Sequence, residues 1–371
     1  MFWIAASALS LIIWLYLLFA RGNFWRLTLN TTPCQPTSLR IVAVVPARNE
    51  ADVIAESLTS LINQDLPLHI VLVDDSSTDR TAAIARAVAS PEQLTIITGA
   101  PLPPGWTGKL WAVSQGAQEA LKHQPDYLLF ADADIHHHPH SVSELVSKAE
   151  AHHLDLASYM VRLSTANFAE KALIPAFVYF FLQLYPPNWI ASAKHHTAGA
   201  AGGCILIRPA ALARIGGHAA IRSQIIDDCS LARAVKQSGG KIWLGLTAHT
   251  RSIRPYSGFS EIGSMISRSA FNQLRHSTVF LIATLLGLAL TYVIPVASIF
   301  SGQPIALVLG LLAWFAMTIT YAPMIRFYQL PLLWSLALPL IALFYAAATF
   351  HSALQYWRGQ GGVWKGRVQD A

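Results

Sequence analysis

Two stretches of this chain leave it almost no choice of environment. The first twenty residues, MFWIAASALSLIIWLYLLFA, carry no charge and are closed by Arg21, and between Ser277 and Trp357 the only formally charged residue is Arg326. A helix rises 1.5 Å per residue, so about 20 apolar residues cross a hydrocarbon core of ~30 Å. The carboxyl-terminal stretch has room for three such spans, near Val279 to Phe300, Ile305 to Ile325 and Pro331 to Phe350. The amino-terminal stretch reads as a retained anchor, because a cleaved signal would want a basic start and a small-residue cleavage site, and neither is evident. Composition agrees: 12% of residues are charged, against roughly a quarter in soluble domains. The organisation expected is an anchor over 1–21, a linker over 22–39, a domain of soluble character over 40–276, a membrane region over 277–357 and a basic tail over 358–371.

The net charge of +6 and pI near 9.3 raise the question of nucleic acid. No long basic run or basic stripe with interleaved aromatics is present, so a nucleic-acid partner is excluded and the bilayer is the partner expected. Arg21, Arg26 and Arg40 follow the first span, and Arg268 and Arg275 precede the second, which by the positive-inside bias puts the middle domain in the cytoplasm. Three downstream spans would then leave Arg358, Lys365 and Arg367 outside, so one apolar segment is expected to be re-entrant or interfacial. Cys34, Cys204 and Cys229 have no metal-binding spacing and suit a reducing compartment.

Within the middle domain, β-branched apolar runs alternate with helical periodicity. RIVAVVPA (40–47), LHIVLVDD (68–75), LTIITG (94–99) and DYLLFADAD (126–134) read as strands. Each is followed by a helix-like segment in which apolar residues recur every three or four positions, as with Val53, Ile54, Leu58, Leu61 and Ile62. Such alternation predicts an α/β fold with a doubly wound, mostly parallel sheet, whose strand carboxyl ends share one edge where ligands bind. Following the strands are Pro46-Ala47-Arg48-Asn49-Glu50, Asp74-Asp75 and Asp132-Ala133-Asp134. There is no GxGxxG after the first strand and no GxxxxGK[ST], so neither a Rossmann dinucleotide site nor a P-loop is expected.

FADADIHHHPH (130–140) offers two donor sets for a metal. Asp132 and Asp134 are hard oxygen ligands of the kind that hold Mg²⁺ or Mn²⁺ together with water and diphosphate oxygens; the bland alternative is a solvated loop capping a helix. His136, His137, His138 and His140 have no Cys or Glu at recognised ligand spacing, and are expected only to border the site. Asp227 and Asp228 open a helix, where they can stabilise its N-terminus or provide a general base whose pKa is raised by its neighbour. Lys109, at the opening of another helix after Pro-Pro-Gly, either faces solvent or neutralises diphosphate. The glycine-rich segment 196–217 allows close backbone approach around Gly202 and Gly203.

In order, VVPARNEADVI, VDDSSTDRT, GWTGKLWA, FADADI, AGAAGG and IIDDCSLA resemble the family 2 glycosyltransferases with a GT-A fold. Together with the anchor, SIRPY (252–256), QLR (273–275) and WKGR (364–367), the chain looks most like the hopanoid-associated membrane glycosyltransferases; carotenoid- and ceramide-type enzymes look similar. The resemblance implies a nucleotide-sugar donor, UDP-linked, held by Pro46, Arg48, Glu50, Asp74, Asp75, Lys109 and Asp132. It implies Mg²⁺ or Mn²⁺ on Asp132 and Asp134, and Asp228 as base in a single inverting displacement. This sequence has Asp227 where the family has Glu, which keeps Asp227 open as the base. The processive QxxRW is absent, so one sugar per acceptor is implied. The apolar, proline-broken stretch 168–196 reads either as a core helix or as an interfacial one; with the interfacial stretch 257–277 it would bring a lipid acceptor to the crevice at a bacterial inner membrane. A non-catalytic scaffold would share the spans, but not a reason for carboxylates at three strand ends.

Overall fold

The computed structural model describes residues 1–27, 29, 30, 32, 34, 37–360, 363, 364, 367 and 368. Parts of the expected linker, and Gly361, Gly362, Lys365, Gly366 and 369–371 of the expected tail, lie outside the described residues. The chain divides into two units: one comprises 1–27, 165–188 and 256–362, the other 28–164, 189–255 and 363–371.

The second unit is built on an eight-stranded sheet: β1 (Ile41–Ala47), β2 (Leu68–Asp74), β3 (Leu94–Thr98), β4 (Tyr127–Ala131), β5 (Ile135–His136), β6 (Leu156–Arg162), β7 (Cys204–Ile207) and β8 (Ile242–Ser252). Their order across the sheet is β3-β2-β1-β4-β7-β6-β8-β5. The four strands β3 to β4 are mutually parallel, β7 runs against β4 and β6, β6 and β8 are parallel, and β5 runs against β8. The α/β, mostly parallel expectation is therefore met over the first half of the sheet, with mixed pairing beyond β4. All seven residues of β1 are buried, as expected for a strand covered on both faces. Ile41, Ala43 and Val45 pack with Ile54, Leu58 and Leu61 of helix Ile54–Ile62. On the opposite face, Gly116 of helix Gly108–Leu121 lets that helix approach Val44 and Val73 so closely that an added Cβ would lie 2.5 and 2.7 Å from their methyls.

The topology fixes where the crevice opens. From β1 the chain steps outward to β2 and β3, then returns to place β4 on β1's other side. Crossovers leave β1 in opposite directions, so the carboxyl ends of β1 and β4 flank a crevice.

The other unit is helical. Among the described residues of the whole chain, five helical stretches are long and apolar enough to cross a membrane: Phe2–Phe19, Phe168–Ala191, Thr278–Phe300, Pro304–Phe327 and Leu332–Trp357. Helix Phe168–Leu184 begins with a reciprocal capping box between Asn167 and Glu170. Its middle is buried, with Tyr179 hydrogen-bonded to Thr320 at 2.8 Å and its Leu173 carbonyl accepting from the Tyr345 hydroxyl at 2.8 Å. Near its end, the Gln183 carbonyl accepts from Arg21 Nε at 3.0 Å, a cation satisfying a helix's last carbonyls. The segment before this helix ends in β6 and the segment after it returns to β7, which pairs with β6. A lone crossing would put those paired strands on opposite sides of a bilayer. Helix Phe168–Leu184 therefore does not make a single crossing, whatever its hydropathy.

Candidate active site

A cleft lined by Pro46, Lys109, Asp132, Gly202, Asp227 and Asp228, among others, brings strand ends and helix starts together. Its floor comes from β4 and β7. Lys109 stands in the first turn of helix Gly108–Leu121, and the Asp pair opens helix Asp227–Gln237.

Lys109 joins three of the acids. Its Nζ is 2.8 Å from Asp132 Oδ1 and 3.4 Å from Asp227 Oδ2. Burial alone would lower the ammonium's pKa, but the carboxylates of Asp132, Asp227 and Asp228 outweigh it and hold Lys109 above the usual lysine range. Of the two readings of Lys109 from sequence, facing solvent or neutralising diphosphate, the first does not describe its position: it lines the cleft, where its partners are carboxylates.

Asp228 is the most perturbed acid in the cleft. Its Oδ2 accepts from the Gly202 N–H at 2.9 Å and its Oδ1 from the Cys229 N–H at 2.7 Å. Burial, and next the Asp227 charge, push its pKa up to about 6, while Lys109 and the two backbone N–H groups pull the other way. A carboxyl titrating there is poised to take a proton near neutral pH. The helix N-terminus by itself would depress a carboxylate, so the upward shift marks desolvation and like charge as dominant. Gly202 is the point of convergence: a Cβ there would lie 3.3 Å from Lys109 Nζ, 3.5 Å from Asp228 Oδ2 and 3.8 Å from Asp132 Oδ2. The loop that delivers Gly202 is tied down by Lys236, whose Nζ donates to the carbonyls of Trp189, Ile190 and Thr197 at 3.0, 2.7 and 2.8 Å.

Asp134 faces elsewhere. Its Oδ2 lies 3.4 Å from Arg254 Nε, and the same guanidinium pairs through its Nη2 with Glu50. The two aspartates spaced two apart thus meet different cations, because the chain turns between β4 and β5 and no longer alternates as a strand. Arg254 is a crevice residue that sequence reasoning did not single out. It arrives because β8 pairs with β5, Ser252 opposite Ile135, and Ile253 N–H donates to the Asp134 carbonyl at 2.9 Å. Its only sequence signal was SIRPY, quoted as a likeness without a role. His218, buried against Phe130 at 4.9 Å between ring centres, also lines the cleft and was missed; burial lowers its pKa to about 4, which keeps it neutral.

The loops after β1 and β2 hold one another. Arg48 Nη1 donates to the Asp75 carbonyl at 2.7 Å and lies 3.7 Å from its carboxylate. Glu50 N–H donates to Thr81 Oγ1 at 2.8 Å and Thr78 N–H to Asn49 Oδ1 at 2.8 Å, while Asp74 Oδ1 accepts from Ser77 N–H at 3.1 Å. Asn49 and Ser76 sit at φ of 54° and 55°, a left-handed conformation that non-glycine residues adopt at some cost. Pro46, Arg48, Glu50, Asp74 and Asp75 are therefore gathered at the carboxyl ends of β1 and β2.

Asp132 and Asp134 suit a hard divalent cation by donor type: carboxylate oxygens, with positions left for water and phosphate oxygens, are how Mg²⁺ is commonly held. Among the described residues no three His, Cys, Asp or Glu side chains form a ready-made metal cluster. The histidines are dispersed. His136 Nδ1 is 3.3 Å from Glu56 and His140 Nδ1 is 2.6 Å from Asp65, while His137 is buried with both ring nitrogens lacking hydrogen-bond partners. Cys204 and Cys229 are buried, Cys34 is exposed, and all three are free thiols.

Residues 42–216 match the family model for Glycosyl transferase family 2, which supports a family 2 glycosyltransferase domain over most of this sheet. A 4,4'-diaponeurosporenoate glycosyltransferase of Staphylococcus aureus is 33% identical over 96 residues, 26% of this chain. The matched stretch spans about a quarter of that relative's length, 24%. Among solved structures, the mannosyltransferase PcManGT from Pyrobaculum calidifontis, in complex with GDP-Man and Mn²⁺, superimposes with a TM-score of 0.60 at 18% identity over 95% of this chain and 97% of that one. At that identity the likeness establishes the fold, which is of the GT-A type.

Proposed function

We propose that this chain is a membrane-bound inverting glycosyltransferase that moves one sugar from a nucleotide sugar, UDP-linked, to a hydroxyl of a membrane lipid in hopanoid or related lipid synthesis. The observation that carries the reading is Asp228, a carboxyl with pKa about 6 held by the Gly202 N–H at the rim shared by Asp132 and Lys109. As the acceptor oxygen attacks the anomeric carbon, its proton passes to Asp228 and the bond to the leaving diphosphate breaks. Asp227, paired with Lys109 at 3.4 Å, keeps its own charge compensated and raises its neighbour, which favours Asp228 over Asp227 as the base.

Donor binding falls to the loops at the carboxyl ends of β1 and β2, with Pro46, Arg48, Glu50, Asp74 and Asp75 around the nucleoside, and to Lys109 and Asp132 near the diphosphate. Asp132 and Asp134 would hold Mg²⁺ or Mn²⁺, which when bound offsets the charge of a leaving diphosphate. The relative from Staphylococcus aureus is named for a 4,4'-diaponeurosporenoate acceptor, and the solved neighbour holds a nucleotide sugar with Mn²⁺; both support this reading. The four apolar helices other than Phe168–Ala191, which are Phe2–Phe19, Thr278–Phe300, Pro304–Phe327 and Leu332–Trp357, support a multi-pass enzyme of the bacterial inner membrane, and the arginines beside the spans support a cytoplasmic crevice. Purified protein in detergent, given labelled UDP- and GDP-sugars and a total lipid extract, is expected to form a new glycolipid from one donor. Equal labelling of a water-soluble acceptor, or of none, would overturn the proposal.

A further inference from the structure

Arg254 stands where a cation is wanted. In the cleft Lys109 pairs with Asp132 and Asp227, and at the next turn of the chain Arg254 pairs with Asp134 and Glu50. Lys109 serves Asp132 and Asp227, so the Asp134 end is served by Arg254, which bridges that carboxylate to Glu50, itself buried. A guanidinium stays charged at any ordinary pH. Loss of its proton therefore cannot release Arg254 from Asp134, whereas a competing cation can take its place at that carboxylate. We propose that Arg254 is a positioning residue that competes with a divalent cation for Asp134, so that loading the crevice with the cation displaces the guanidinium, which then faces an anionic diphosphate ligand.

The proposal rests on the reading of the crevice as a nucleotide-sugar site and adds an order to it. Without a diphosphate, the cation must displace Arg254 from Asp134, and the guanidinium exchanges that carboxylate for no new anion beyond the Glu50 it already meets. With a diphosphate present, the same displacement gives Arg254 a bidentate anionic partner, for which guanidinium geometry is suited. Cation and diphosphate should then each bind more tightly in the presence of the other, with the coupling carried by Arg254. Its tether is short: Ile253 N–H is bonded to the Asp134 carbonyl, so a change at the Asp134 loop is felt directly at Arg254.

The test is binding, not turnover. Mn²⁺ is titrated into the full-length protein in detergent and followed by the electron paramagnetic resonance of free Mn²⁺, first alone and then with UDP or GDP. Arg254→Gln is expected to bind Mn²⁺ alone several-fold more tightly than the parent, and to bind the nucleoside diphosphate at saturating Mn²⁺ about tenfold more weakly. Arg254→Lys should fall between, and carries the test should the glutamine variant not fold. Arg251→Gln, which removes the same charge from a residue paired with Glu56 at 3.2 Å, should leave Mn²⁺ binding alone; this separates competition at Asp134 from a general change in charge. Unchanged or weaker Mn²⁺ binding in the Arg254 variants, or an equal gain in Arg251→Gln, overturns the proposal. Should neither UDP nor GDP bind the parent, the donor reading fails, while the Mn²⁺ arm still decides whether Arg254 competes for Asp134.

Discussion

Eleven residues, Phe130 to His140, contain both of the places where a metal could be sought, and the two behave oppositely. Asp132 and Asp134 each meet a cation in the crevice, Lys109 at 2.8 Å and Arg254 at 3.4 Å. The histidines that follow at once go to separate partners: Glu56 for His136, Asp65 for His140, the rings of His140 and His249 for His138, and none for the ring of His137. The carboxylates sit where β4 ends at the switch in strand order, whereas the histidines ride on β5 and the turn beyond it, against helix Ile54–Ile62. Proximity in sequence says little about sharing a site; position relative to the end of a buried strand says more.

The sharpest way to break this comparison is to remove the proton acceptor on the carboxylate side. Asp228→Asn should lower transfer by about 10²- to 10⁴-fold, the usual range for a general base, with donor binding within a few-fold. The parent's rate should fall on the acid side with an apparent pKa near 6, as Asp228 takes up its proton, and that limb should vanish in the variant. An active Asp228→Asn beside a dead Asp227→Asn would move the role one residue back.

Next in size is the metal. Alanine at Asp132 or Asp134 should weaken donor binding in Mn²⁺ by about tenfold or more, and chelator should inhibit, since each carboxylate supplies a charged oxygen ligand. Replacing His136, His137 and His138 together should leave Mn²⁺ dependence intact in whatever protein folds. Loss of Mn²⁺ binding in the histidine variant alone would reverse the comparison.

Gly202→Ala probes how closely the crevice is drawn together. The added methyl would meet the flexible end of Lys109 at 3.3 Å and carboxylate oxygens at 3.5 and 3.8 Å, which folding tolerates but a ligand in that space does not. Stability is expected to change by under about 1 kcal/mol, as for a substitution that creates no cavity, while donor affinity falls several-fold. An unchanged donor affinity would mean the ligand lies away from Gly202.

How much of this was legible beforehand follows the same division. Strand ends could be read because β-branched runs stop at polar residues, and the topology of parallel strands gathers such ends on one edge; hence Arg48, Asp75 and Asp132 could be grouped without coordinates, whereas Asp228, at a helix start, joined them by resemblance alone. Arg254 could not, because it depends on β5, two residues long, pairing with the end of β8 across more than a hundred residues of chain, a register no local pattern encodes. The antiparallel β7 was hidden similarly: CILI has the composition of any buried strand, and direction is set by its partners. The stretch 168–196 was ambiguous by hydropathy, and only the return of the chain to β6's sheet rules out a single crossing.

The smallest expected effect concerns His137, on the histidine side. Burial drives its pKa down to about 3 from 6.5, with the neighbouring His136 a minor cause, and both ring nitrogens lack partners. The folded protein therefore keeps the ring neutral where the unfolded chain would protonate it. Above about pH 6.5 neither state binds the proton and His137 adds no pH dependence. From pH 6.5 down towards 3 the unfolded chain binds one proton more, so stability falls by up to about 1.4 kcal/mol per pH unit. Comparing unfolding of the parent and His137→Leu at pH 7.5 and pH 5.5 checks this. The leucine variant should match or exceed the parent at pH 7.5, because it removes an unsatisfied polar ring from the interior, and should lose less stability on acidification. If both proteins lose the same amount, His137 has a proton partner in solution. The histidine run would then be closer to a working site than its dispersed contacts indicate, and the contrast with Asp132 and Asp134 would narrow.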